Sequence, residues 1–132
     1  MKDMWLTSFR GPALSAMRIV VGLNFMAHGL QKVLGLLGGQ PVPHLSLAGI
    51  AGYLELIGGV LVMIGLFTRP AAFILCGEMA VAYFKQHAPH GLWPVVNHGE
   101  LAVLYCFVFL YLVFSGAGPW SLDSVMGKGG SS

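Results

Sequence analysis

Each of four apolar stretches in this chain carries side chains able to move a proton or grip a polar head group. Arg18, His28 and Lys32 lie in the first, Glu55 in the second, Glu78 in the third, and Asn97, His98 and Glu100 in the fourth. A charge near the centre of a membrane-crossing helix costs about 2.5–3.5 kcal/mol on insertion scales, while a leucine there returns only about 0.3–0.6. Such groups must therefore face one another, a water-filled cavity or the inside of a helix bundle. Carboxyl, imidazole and ammonium groups gathered in an apolar enclosure suit hydrogen bonding and proton transfer at the oxygens of a small apolar ligand.

Helical spacing says how these groups can meet. Arg18, Gly22, Phe25, Gly29 and Lys32 recur at steps of four and three, which is one face of a helix, and His28 lies beside that face. Ala51, Glu55 and Gly59 share a face of the second stretch, where small residues permit close helix approach and turn Glu55 toward a neighbour. Counting about 1.5 Å per residue from each end puts Lys32 and Glu100 at one depth, His28 and Glu55 at another, and Glu78 near the midplane. The expected neighbours are Lys32 with Glu100, His28 with Glu55, and Arg18 reaching toward Glu78. Competing readings stand beside these. Arg18 and Lys32 are near enough to helix ends to snorkel, and Asn97 and His98 suit a helix cap. His44, His87 and His90 fall in loops, where solvation accounts for them.

The elements that must position these residues follow from composition. Of 132 residues, 56% are hydrophobic and 9% charged, against roughly 45–50% and about 25% in a soluble domain. So short a chain has little room to bury that much apolar surface, which excludes an ordinary soluble enzyme. A helix needs roughly 20 residues to cross a bilayer. The expected spans are about 13–37, 46–67, 70–84 and 97–114, separated by Gly- and Pro-rich turns, with Pro70 in a first helical turn. The expected fold is all-α: a transmembrane four-helix up-down bundle forming one domain over residues 1–123, with a disordered tail at 124–132. Polar residues in the first span and the lack of a small-residue cleavage site argue for a retained helix. Lys2, Arg10, Arg69 and Lys128 on one side, against Lys32 and Lys85 on the other, predict both termini in the cytoplasm. Trp5, Trp93 and Trp120 fall near span ends, as interfacial rings do. Cys76 and Cys106 lie in separate apolar stretches with no CxxC spacing and read as small apolar fillers. Scattered lysines and arginines form no basic patch, so nucleic acid is not an expected partner; no metal site is expected either.

Several short motifs occur in order: Arg18-Ile19; Phe25-Met26-Ala27-His28-Gly29 with Lys32; Glu55 with Gly58-Gly59; Leu66-Phe67-Thr68-Arg69-Pro70-Ala71-Ala72; Gly77-Glu78-Met79-Ala80-Val81-Ala82; Asn97-His98-Gly99-Glu100; and Gly118-Pro119-Trp120-Ser121-Leu122-Asp123. Together they resemble the DoxX family of small four-helix bacterial membrane proteins over nearly the whole chain. The resemblance implies a multi-pass protein of the bacterial inner membrane. DoxX-like proteins are often labelled oxidoreductases, and relatives serve thiosulfate:quinone oxidoreductase, thiol and oxidative-stress complexes, or quinone and catechol detoxification. Arg18, His28, Lys32, Glu55, Asn97 and Glu100 occupy family-like polar positions.

Two functions remain open at this point. One is a quinone-linked redox protein, with His28, Lys32, Glu55 and Glu100 at the quinone carbonyls and Phe25, Phe107 and Tyr111 as walls. It needs a redox partner protein or a redox-active substrate, since the sequence has no nucleotide fingerprint or iron–sulfur spacing. The other is a non-catalytic membrane protein that binds a lipid or small apolar ligand, or scaffolds a partner enzyme, with buried charges fixing helix register. A haem between His28 and His98 fits poorly, because the two differ by roughly 8 Å in expected depth. A homo-oligomer is compatible with either.

Overall fold

The computed structural model describes residues 3–127, and all regular structure among them is helical. Lys2, Lys128 and the remainder of the expected tail lie outside the described residues. Seven α-helices follow one another: α1 (Met4–Thr7), α2 (Arg10–Leu34), α3 (Leu47–Ile64), α4 (Thr68–Ala82), α5 (Pro94–Asn97), α6 (Glu100–Ser115) and α7 (Leu122–Val125). A π-helical turn, Tyr83–His87, and a 3-10 turn, Ala88–His90, prolong α4. The expected loop over 85–94 is thus partly helical, and α7 occupies the start of the expected tail.

Local chemistry sets the helix ends. α2 stops three residues before the expected position because Gly35 takes a left-handed conformation (φ +69°). Its N–H returns to the Gln31 carbonyl, the bond of an αL closure, and the Leu36 N–H reaches the Leu30 carbonyl. Ser46 opens α3 by accepting the Gly49 N–H at 3.0 Å, and Gly65 closes it as Gly35 closes α2. Pro70 sits in the first turn of α4, as expected. The fourth long helix begins at Glu100 and not near 97, because His98 is left-handed (φ +61°) and breaks α5 from α6.

The largest interface joins α2 to α3, the next joins α4 to α6, and a lesser one joins α3 to α4. Glycines let α2 and α3 touch backbone to backbone. A Cβ on Gly22 would lie 2.4 Å from the Met63 nitrogen, and one on Gly29 would lie 2.4 Å from the Leu56 nitrogen. Gly59 meets α2 in the same way, so the small-residue faces expected on both helices do face each other. Phe25 ties this pair to α6 through edge-to-face contacts with Tyr105 and Phe109, each at 4.8 Å between ring centroids. Val62, Leu75, Phe109 and Leu112 complete a fully buried core.

The outer surface is apolar. Phe73, Phe107 and Phe114 are each more than 60% exposed, and many aliphatic side chains point outward with them. A contiguous apolar exterior of this kind is a surface for lipid, not water. Residues Met4–Leu34 and Leu47–Ile64 are each long and apolar enough to cross a membrane, by length and composition. α6, with 16 residues, is a shorter apolar helix, and α4, with 15, is prolonged by the five residues of its π-helical extension.

Candidate functional site

Gly52 makes the approach of the first polar pair possible. The stem of Lys32 runs over the space a Cβ would fill there, 2.8 Å from Lys32 Cβ, and carries the ammonium along α3 to Glu55 one turn further on. Lys32 Nζ donates to both carboxylate oxygens of Glu55, at 3.0 and 2.9 Å. The carboxylate is almost wholly buried at 4% exposure, while the lysine side chain keeps 35%. One end of the pair is therefore fixed in the core and the other borders open space.

That space is a pocket of about 630 Å³ between α2, α3, α4 and α6, bordered at its open side by the π-helical turn. Glu78 of α4 enters it beside Glu55, close enough for the two carboxyls to interact, with Lys32 the nearby cation. Glu78 Oε1 is buried and has no hydrogen-bond partner among the described residues. Unpaired buried polar atoms are uncommon in folded proteins and call for a partner. Phe25, Leu101 and Tyr105 supply apolar walls, and exposed His28 and Lys85 stand at the rim.

The expected pairings are corrected by this geometry. Lys32 pairs with Glu55 and not with Glu100, which is exposed in the first turn of α6, where a carboxylate suits the helix dipole. His28 shares the pocket with Glu55, but its ring packs edge-on to Phe25. Glu78 lies beside Glu55, close to the depth expected for it, and its neighbour is that carboxylate and not Arg18. Phe107 and Tyr111 face outward, and Tyr105 takes the wall position.

Arg18 does not reach Glu78. It is fully buried at the opposite end of the molecule. Its guanidinium donates to three carbonyls: Val62 at 2.9 Å, Trp120 at 2.6 Å, and Ala117. Beside it, Asp123 accepts the N–H groups of Phe67 and Thr68, each at 2.9 Å, and so caps α4 from 55 residues away. The Asp123 N–H returns to the Gly65 carbonyl at 2.8 Å. This end is a structural latch centred on Arg18 and Asp123, in which Thr68 Oγ1 is buried without a hydrogen-bond partner among the described residues.

Asn97 also holds structure together. Its Nδ2 donates to Tyr83 Oη and to the Gly91 carbonyl, both at 3.0 Å, and its Oδ1 accepts the Gly99 N–H at 2.8 Å. His87 Nδ1–H donates to the Asn97 carbonyl at 3.1 Å, which sets that ring in the pocket lining. Sequence reasoning left His87 to solvent and gave Lys85 and Tyr105 no site role. The π-helical turn that brings His87 into the lining and Lys85 to the rim has no composition signature. Asp123, by contrast, lay in one of the ordered motifs, and only its partners were hidden.

An uncharacterized protein of Haemophilus influenzae is 45% identical over 90% of this chain and 94% of its own length. An uncharacterized membrane protein of Mycobacterium tuberculosis is 29% identical, over 89% of this chain and 83% of its own. A Bacillus subtilis protein named "putative oxidoreductase CatD" is 30% identical over 86% of each chain. No solved structure matches. The sequence pattern of the DoxX family matches residues 13–88, which include most of α2, all of α3 and α4, and the pocket residues His28, Lys32, Glu55 and Glu78. The chain belongs to the DoxX family.

Proposed function

We propose that this chain is a multi-pass protein of the bacterial inner membrane that binds a quinone in the pocket around Lys32, Glu55 and Glu78. The four long helices cross as an up-down bundle with both termini in the cytoplasm. Arg10 and Arg69 lie at the Arg18 end, and Lys32 and Lys85 at the pocket end, a distribution that favours this orientation. The observation that carries the reading is Glu78 Oε1, buried without a partner beside a lysine–carboxylate pair.

The pocket's residues fit such a ligand. Its volume lies within the roughly 300–1,000 Å³ range of small-molecule sites, and its walls are mainly apolar. One ammonium faces two carboxyls, so the set is neutral when one carboxyl holds a proton. That proton is then available for donation to a ligand carbonyl, and Lys32 Nζ can offer another N–H. A bound quinone supplies two-electron, two-proton redox chemistry. The chain's own groups orient the head group, exclude bulk water and hold the proton at Glu78 or Glu55. Electrons come from a partner protein or a redox-active substrate. The resemblance to a protein named as an oxidoreductase supports this choice.

Equilibrium binding of decylubiquinone to the purified chain in lipid nanodiscs tests the reading. Saturable binding is expected, weakened at least tenfold by Glu78→Gln and Glu55→Gln and unaffected by Phe107→Ala on the outer face. Wild-type protein that fails to bind, or binding equal in all variants, would refute it. Equally effective displacement by a fatty acid would instead favour a lipid-binding protein.

A further inference from the structure

Cys76 on α4 and Cys106 on α6 are 30 residues apart in sequence, yet their sulfurs lie 3.7 Å apart. Both are free thiols, and both are half-buried at the edge of the core. Residues one turn away are small, Ala72 and Ala80 on α4 and Ala102 on α6, which lets the two helices approach. Contact between sulfurs differs from the bonding distance of about 2.05 Å by a displacement that side-chain rotation and small helix adjustment can supply.

The thiols also stand next to the pocket. Met79 follows Cys76 by one helical turn and Ala102 precedes Cys106 by one, and both residues line it, as does Tyr105. The dithiol therefore lies about one turn beneath the pocket floor, in surroundings that admit a lipid-soluble reagent more readily than an aqueous one.

We propose that Cys76 and Cys106 are a redox-active dithiol that closes to an interhelical disulfide with a quinone as two-electron acceptor. In the balanced step, the two S–H bonds break and one S–S bond forms. The two electrons and two protons released reduce the two quinone carbonyls to the hydroxyls of a quinol. The choice of acceptor rests on the proposed pocket; the meeting of the thiols does not. Since the chain has only these 2 cysteines, any loss of thiol reports on this pair alone.

The test uses the full chain in nanodiscs, reduced and then exposed to decylubiquinone, whose fully substituted ring resists thiol addition. Maleimide labelling and intact mass are read together. Loss of both thiols, a mass decrease of two hydrogens, one quinol per chain and a monomeric species on a non-reducing gel are expected. Cys76→Ser and Cys106→Ser should each retain their remaining thiol. Thiols that stay open to both decylubiquinone and diamide would overturn the proposal, as would disulfides linking two chains. Closure by diamide but not by the quinone would overturn the assigned acceptor while leaving quinone binding at Glu78 standing. Closure in a chain that shows no saturable quinone binding would sink the pocket and leave the dithiol.

Discussion

Lys32 straddles both oxygens of Glu55, and the two partners are unequally buried, 35% against 4% exposed. That inequality decides which half of the pair is more costly to remove. Lys32→Met leaves the buried Glu55 carboxylate without its donor, a loss of about 1–3 kcal/mol, less than for a fully buried pair because Lys32 is 35% exposed. Glu55→Gln keeps an acceptor for the ammonium, which can turn toward the pocket. Thermal unfolding in detergent should show Lys32→Met as clearly the less stable variant, with Lys32→Met/Glu55→Met recovering part of the loss. Equal destabilisation by the two single changes would contradict the geometry.

Asp123 caps α4 through two N–H groups while its own N–H holds the Gly65 carbonyl. Asp123→Ala should cost about 1–2 kcal/mol, as loss of an N-terminal cap does. Hydrogen exchange at Phe67 and Thr68 should accelerate. Asp123→Asn, which keeps one acceptor, should fall between. No change in exchange at those two amides would mean the cap is not formed in solution.

Two glycines give opposite expectations. Gly29→Ala drives a methyl into the backbone of Leu56 and should destabilise by about 1–3 kcal/mol, as overpacking does. Gly77, also helical, has nothing within 4 Å of its would-be Cβ. Gly77→Ala should therefore stabilise by about 0.5–1 kcal/mol through helix propensity. Unfolding midpoints measured side by side check the sign of each change.

Arg18→Lys replaces a five-donor fork with a single ammonium where three carbonyls converge. Each carbonyl left without a donor costs about 1–3 kcal/mol. Lysine should therefore fail to rescue, and limited proteolysis should open the segment around Trp120 first. A variant as protease-resistant as the wild type would show that the charge alone suffices at this position.

Much of the site was legible in the sequence, and the illegible part has a common cause. Periodicity placed Arg18, Gly22, Gly29 and Lys32 on one face, and that face does meet the small-residue face of α3. Depth counting then failed by a turn or so, since it assumes straight helices ending at expected points. α2 ends at Gly35 and α6 starts after a left-handed His98. A shift of about 5 Å per turn is enough to exchange one carboxylate partner for another, which is how Glu55 replaced Glu100 beside Lys32. The thiol contact and the cap at Asp123 join residues 30 and 55 apart. No local pattern encodes such pairings, because they exist only once helices from distant parts of the chain have packed.

The bonding of Arg18 to distant carbonyls has a consequence for biosynthesis. Two of its carbonyl partners lie 99 and 102 residues downstream. While the ribosome is still elongating, this cation waits in α2 with two of its three acceptors not yet made. Completion of the last helix and the turn after it is thus the event that locks the earlier ones. Chains interrupted before Ala117 should be selectively recognised by membrane quality-control proteases.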